Sequence, residues 1–316
     1  MLMFLLRRIG TMILTATCLT FVVFYLTNLP PNLEKLAKEQ ANNRMTDAQV
    51  ESWLETNGYN RPMLLRYGEW IGGVALGDLG HSTRFNAPVA EIVGTRLWLT
   101  AKLMFWVMIV MVPMALLIGV LAGMREGSVT DRSLSTAAIA TTATPEYVSG
   151  VILAFVFASS IVGLKWMKAS ATSATNGITF ENFALPVLTM ALYGMGYIAR
   201  MTRASMAEVM TAQYIRTARL KGVSFPVIVV RHALRNALIA PFTVIMLQFP
   251  WLLTGVVIVE TLFNYKGFGW TLVEAASNND IELLLSCSVV AVFVVLITQL
   301  ISDIGYVYLN PRIRVK

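Results

Sequence analysis

Uncharged runs of near-spanning length recur along the chain, at Ile9–Leu33, Leu103–Met124, Tyr147–Leu164, Asn182–Ala199, Asn236–Val259 and Leu283–Ser302. The third extends backwards through Ser133–Pro145 when Glu146 is included. A helix needs about 20 apolar residues to cross the hydrocarbon core, and backbone in lipid must satisfy its own hydrogen bonds. The runs are continuously apolar rather than alternating, which argues against a closed barrel. The pattern predicts six transmembrane helices. Arg7 and Arg8 precede the first run, but its exit reads Leu29-Pro30-Pro31 with no small-x-small site, so it reads as an uncleaved span.

Polar segments between the runs suggest an organisation. Residues 1–30 hold an amino-terminal tail and the first span, residues 31–96 a segment with short helices, and residues 97–316 five further spans with a loop at 200–235. Within 31–96, Thr46-x-x-Gln49 fits a capping box, Gly58 can end that helix, and Pro62 suits a first helical position. Gly77-Asp78-Leu79-Gly80 reads as a turn. This segment is either a small lid of surface helices or a docking surface for an extracytoplasmic partner. In the 200–235 loop, Ile215, Ala218 and Tyr214 share one helical face, while Arg216 and Arg219 lie three apart on another. Gly222 can stop that helix, and Ser224 with Pro226 can start a second. Two readings stand side by side: a rigid knob, or a basic hairpin lying on anionic membrane lipid.

Composition agrees with a membrane chain. Hydrophobic residues make up 56 % of 316 and charged residues 14 %, against about 25 % charged in soluble domains; mean hydropathy is +0.64. The net charge of +7 is unevenly placed. With the amino terminus inside, the inner segments carry Arg125, Arg132, Arg200, Arg203, Arg216, Arg219, Lys221, Arg231, Arg235 and a basic carboxyl terminus, against Glu126, Asp131 and Glu208. The outer segment mixes both signs. This is the positive-inside pattern and places both termini in the cytoplasm. No soluble basic domain is present to bind nucleic acid.

Few residues can carry chemistry. Cys18 and Cys287 both sit in apolar runs and His81 and His232 are the only histidines, so no metal site is expected. No Gly-x-x-x-x-Gly-Lys-Ser/Thr loop exists to cradle a nucleotide, and neither the His-Glu-x-x-His nor the Gly-x-Ser-x-Gly pattern occurs. The chain is therefore expected to be no enzyme and to bind no cofactor. Intramembrane acids usually face a cavity or partner. Glu146, after Thr144-Pro145 and before Tyr147, reads either as a cap at a broken helix or, with Tyr147, as part of a translocation pathway favouring amino groups.

Several ordered blocks resemble one family. They are Leu6-Arg7-Arg8; Asn60-Arg61-Pro62 with Tyr67, Trp70, Gly77-Asp78-Leu79-Gly80 and Pro88-Val89; Tyr214-Ile215-Arg216-Thr217-Ala218-Arg219-Leu220-Lys221-Gly222 followed by His232-Ala233-Leu234-Arg235-Asn236-Ala237; Val259-Glu260-Thr261-Leu262-Phe263 with Gly267-Phe268-Gly269; and Asp303 with Asn310-Pro311-Arg312-Ile313. Together they resemble the permease subunits of ATP-binding-cassette importers, in the dipeptide/oligopeptide/nickel branch. The resemblance implies an all-α integral membrane protein of the type I importer fold in a bacterial inner membrane, with residues 31–96 periplasmic and a cytoplasmic coupling helix. It implies that Tyr214, Ile215, Arg216, Thr217, Ala218, Arg219, Lys221 and Gly222 engage an ATPase. It further implies a second homologous permease subunit, two ATPase subunits holding ATP and magnesium, a periplasmic solute-binding protein, and a small solute, peptide first, as cargo. The rival class is an ATP-independent channel or secondary transporter, which predicts internal inverted repeats; no clear repeat is visible.

Overall fold

The computed structural model describes residues 2–40, 45–161 and 164–309. The terminal Asn310-Pro311-Arg312-Ile313 block lies outside them. The long helices are α1 (Leu2–Thr27), α5 (Val89–Gly123), α8 (Phe180–Met210), α12 (Ile239–Leu262) and α14 (Ile281–Leu309). Four stretches pass as single membrane spans: Leu6–Thr27, Val89–Gly123, Phe180–Met210 and Ile281–Gly305. Two bent pairs bring the number to six when each counts as one span. They are α6 (Val129–Ala143) with α7 (Glu146–Ala158), and Phe225–Ala237 with Ile239–Leu253.

The expected third span is thus not one straight rod. Its two helices meet at 107°. Thr144 is extended (ψ 121°) and Pro145 (φ −56°, ψ 146°) precedes the first residue of α7. A proline ring disfavours helical backbone at the residue before it and supplies no N–H to continue the ladder.

Two compact units are present: Met1–Leu99 with Gly267–Ile297, and Thr100–Lys266 with Thr298–Lys316. In the first, short helices α2 (Pro30–Gln40), α3 (Asp47–Thr56) and α4 (Met63–Ala75) follow α1. Gln49 accepts from the Thr46 backbone N–H at 2.9 Å, as the capping box predicts. Gly58 (φ +75°) stops α3, with Tyr59 N–H bonding Leu54 C=O at 2.8 Å. Pro62 stands one residue ahead of the helix rather than in its first turn. Phe24, Leu33, Leu36, Ile281 and Leu285 form an apolar cluster against which Trp53, Tyr59, Tyr67 and Trp70 pack.

A two-residue antiparallel pair, β1 (His81–Ser82) with β2 (Ala87–Pro88), follows the Gly77–Gly80 turn. It is pinned near the start of α14: Ser82 Oγ donates to Asp280 at 2.6 Å and His81 N–H to Glu282 at 2.7 Å.

In the second unit α8 is the central helix, packed by α6, α7 and α12. Helix α6 runs antiparallel to α8, so Asp131 meets Arg203 at one end and Ala138 meets Gly196 further along. A Cβ at Gly196 would collide with the Ala138 carbonyl and the Thr141 hydroxyl, so the missing side chain permits this contact. Glu260 is fully buried and accepts from the Thr100 hydroxyl.

Candidate functional site

The 200–235 segment folds as a knob at the end of α8. Helix α9 (Gln213–Leu220) begins after a tight turn, with Ile215 N–H bonding Ala212 C=O at 3.0 Å. It ends at Gly222 (φ +74°), where Gly222 N–H reaches Arg219 C=O at 3.0 Å and Val223 N–H reaches Ala218 C=O at 3.2 Å. This left-handed stop follows from glycine's freedom at positive φ. The chain then turns at Ser224 into α10 (Phe225–Val227), a π-helical turn (Ile228–Ala233) and α11 (Leu234–Ala237), and bends by 50° into α12.

One face of α9 anchors it. Ile215 and Ala218 are buried with Met206, Met210, Ile228, Val229, Ala233 and Ala237. Burying the Ile215 side chain contributes about 1.5–3 kcal/mol to holding the knob together. Arg216, Thr217, Arg219, Leu220 and Lys221 are all exposed, and Leu220 retains 81 % of its surface. Tyr214 departs from the expected face. It is 43 % exposed, and its hydroxyl accepts from Asn236 Nδ2 at 2.9 Å, tying α9 to the residue before Ala237. Ser205 Oγ donates to the Ala237 carbonyl at 2.8 Å, so α8, α9 and α11 are linked at one corner. The knob therefore presents a basic, partly apolar surface on a packed base.

Glu146 and Tyr147 lie apart from the knob, at the start of α7. Glu146 is half-buried, with no hydrogen-bond or ion-pair partner among the described residues, and Tyr147 is 54 % exposed. The Glu146 carboxylate sits against Gly255, 3.1 Å from the place a Cβ would take, and Trp251 approaches the same point at 3.5 Å. Trp251 in turn stacks on Tyr193, with ring centroids 5.0 Å apart. The aromatic pair has no local sequence signal, because its members come from α8 and α12.

The Asp131–Arg203 pair was also invisible in the sequence. Arg203 Nε and Nη2 donate to the two Asp131 oxygens at 2.9 and 2.7 Å, and Asp131 also accepts from Gly127 N–H and Ser135 Oγ. This bidentate pair locks the start of α6 to α8.

Against known proteins, residues 115–315 match the family described as the binding-protein-dependent transport system inner membrane component. The chain belongs to this family. It is 32 % identical over 314 residues to a probable peptide ABC transporter permease of Sinorhizobium fredii, covering 98 % of this chain and 99 % of that protein. It is 31 % identical to an oligopeptide transport system permease of Bacillus subtilis, covering 85 % and 86 %, and 31 % identical to a glutathione transport system permease of Escherichia coli over the whole of both. The chain is a multi-pass membrane permease of an ABC transport system with the type I importer permease fold, and the family is a transport component rather than a catalytic one. The knob of this permease lies inside the matched region, as do Glu146 and Tyr147.

Proposed function

We propose that this permease forms a translocation pathway together with a second, homologous permease subunit, and that α9 couples it to ATP hydrolysis on two separate ATPase subunits. The observation that carries this reading is the two-sided helix α9. Ile215 and Ala218 bind it to its own chain, while Tyr214, Arg216, Thr217, Arg219 and Lys221 project outward, stopped by Gly222. A rigid, outward-facing helix can seat in a cleft of an ATPase that carries ATP and magnesium. Closure of two ATPases would move two knobs, and the helices joined to them would swing between inward- and outward-facing states. The knob and both termini would face the cytoplasm of a bacterial inner membrane, and residues 31–96 the periplasm, where a solute-binding protein delivers cargo. Peptide is the favoured cargo, because the relatives are named for peptides, oligopeptides and glutathione. Glu146 and Tyr147 would line the pathway at the helix break, where irregular backbone is tolerated beside a cavity.

Co-purification tests the reading. ATPase subunits should accompany the parent chain, and the purified single chain should hydrolyse no ATP. Robust hydrolysis by the chain free of partners would sink it.

A further inference from the structure

A cavity of about 570 Å³ opens between α6 and α8 beside the Asp131–Arg203 lock. Three arginines line it, Arg132, Arg200 and Arg203. Arg203 is occupied: it holds Asp131 in bidentate fashion and lies 3.4 Å from Glu126. Arg132 and Arg200 are exposed and have no hydrogen-bond or ion-pair partner among the described residues. The positive charge left over in this cavity therefore sits on two arginines that approach from different helices.

The surroundings give the cavity a direction. Helices α6 and α8 run antiparallel, so Ile139, two turns beyond Arg132, lies toward the far end of the cavity from the arginines. Ile139 is 51 % exposed. Thr136 lies between them on the same face of α6. Charged groups at one end and an exposed apolar side chain about 10 Å further along make a surface site that is polar at one end and apolar at the other.

We propose that this cavity binds the phosphodiester headgroup of an anionic phospholipid. Arg132 and Arg200 clamp the phosphate, and an acyl chain passes Ile139. Two forks of planar donors suit phosphate oxygens, and basic pockets between membrane helices on the cytoplasmic side are suited to anionic headgroups. The Asp131–Arg203 lock ties together the two helices that carry the arginines. A free phosphate ion offers the same oxygens, and the experiment separates it from the lipid.

Native mass spectrometry of the full-length chain, with phosphatidylglycerol, phosphatidylcholine or inorganic phosphate added, reads the site directly. The parent should retain phosphatidylglycerol in preference to phosphatidylcholine. The double variant Arg132→Gln/Arg200→Gln should lose retention about thirtyfold, near fivefold per arginine. Arg231→Gln/Arg235→Gln removes the same charge from an exposed stretch elsewhere and should retain lipid like the parent. Equal retention by the parent and the Arg132/Arg200 variant would overturn the proposal, and so would equal loss in both variants. Displacement of the lipid by millimolar inorganic phosphate would assign the cavity to a free anion and also overturn it.

Discussion

Gly222 and Gly196 show how single missing side chains act in different ways. Beyond its own chain neighbours, no heavy atom lies within 4 Å of a Cβ built at Gly222, yet its φ is +74°. A substitution there acts through backbone strain alone. Gly222→Val should cost about 1–3 kcal/mol locally and loosen the end of α9, whereas Gly222→Asn, which tolerates the left-handed region, should behave nearly like glycine. Expression and membrane insertion should be normal in both, since the apolar runs are untouched. Uptake and ATPase activity of the complete complex should fall for Val only, and equal loss in both variants would remove the turn from the account. Gly196 is limited by space instead. Gly196→Ala places a methyl on the Ala138 carbonyl and the Thr141 hydroxyl, so α6 must move away from α8. Overpacking of this kind typically costs about 1–3 kcal/mol, and a lowered thermal midpoint of the detergent-purified protein is the expected result.

Helices α6 and α8 are joined by a charge pair as well as by close packing. Asp131 is only 3 % exposed, so removing Arg203 leaves a buried carboxylate without its counter-charge, held only by Gly127 N–H and Ser135 Oγ. Arg203→Gln should destabilise the unit by about 3 kcal/mol, while Arg200→Gln, which breaks no pair, should have little effect on stability. A thermal midpoint lowered equally by both would show that the lock contributes nothing. Nothing in the chain order announced this pair, because its members are 72 residues apart. Local signals were far more legible. The Thr46/Gln49 cap, the Gly58 and Gly222 stops and the Gly77–Gly80 turn each depend on three to six neighbouring residues, and each is present. Spans were legible because continuous apolarity has no other use at that length. The 107° bend at Thr144-Pro145 was legible as a break but not as an angle, since proline ends a helix without fixing the direction of the next one. The stacked Tyr193–Trp251 pair and the pinned β1–β2 hairpin required tertiary contacts that no periodicity encodes.

At the scale of the whole molecule, orientation and energy source are the remaining predictions. With Cys18 and Cys287 replaced, a cysteine at Asp47, whose side chain is 97 % exposed, should react with an impermeant thiol reagent from outside intact cells. A cysteine at Ser224, exposed at the turn of the knob, should react only after the membrane is opened. The reverse pattern would invert the topology drawn from the lysines and arginines. The central claim is that this permease is driven by ATP hydrolysed on other chains. Uptake of a labelled peptide into proteoliposomes containing both permease subunits and the ATPases, with the binding protein on the peptide side, tests it most directly. The account predicts uptake that needs ATP, the ATPases and the binding protein together, and that builds a gradient. Equilibrating uptake by this chain alone, without ATP, would contradict it.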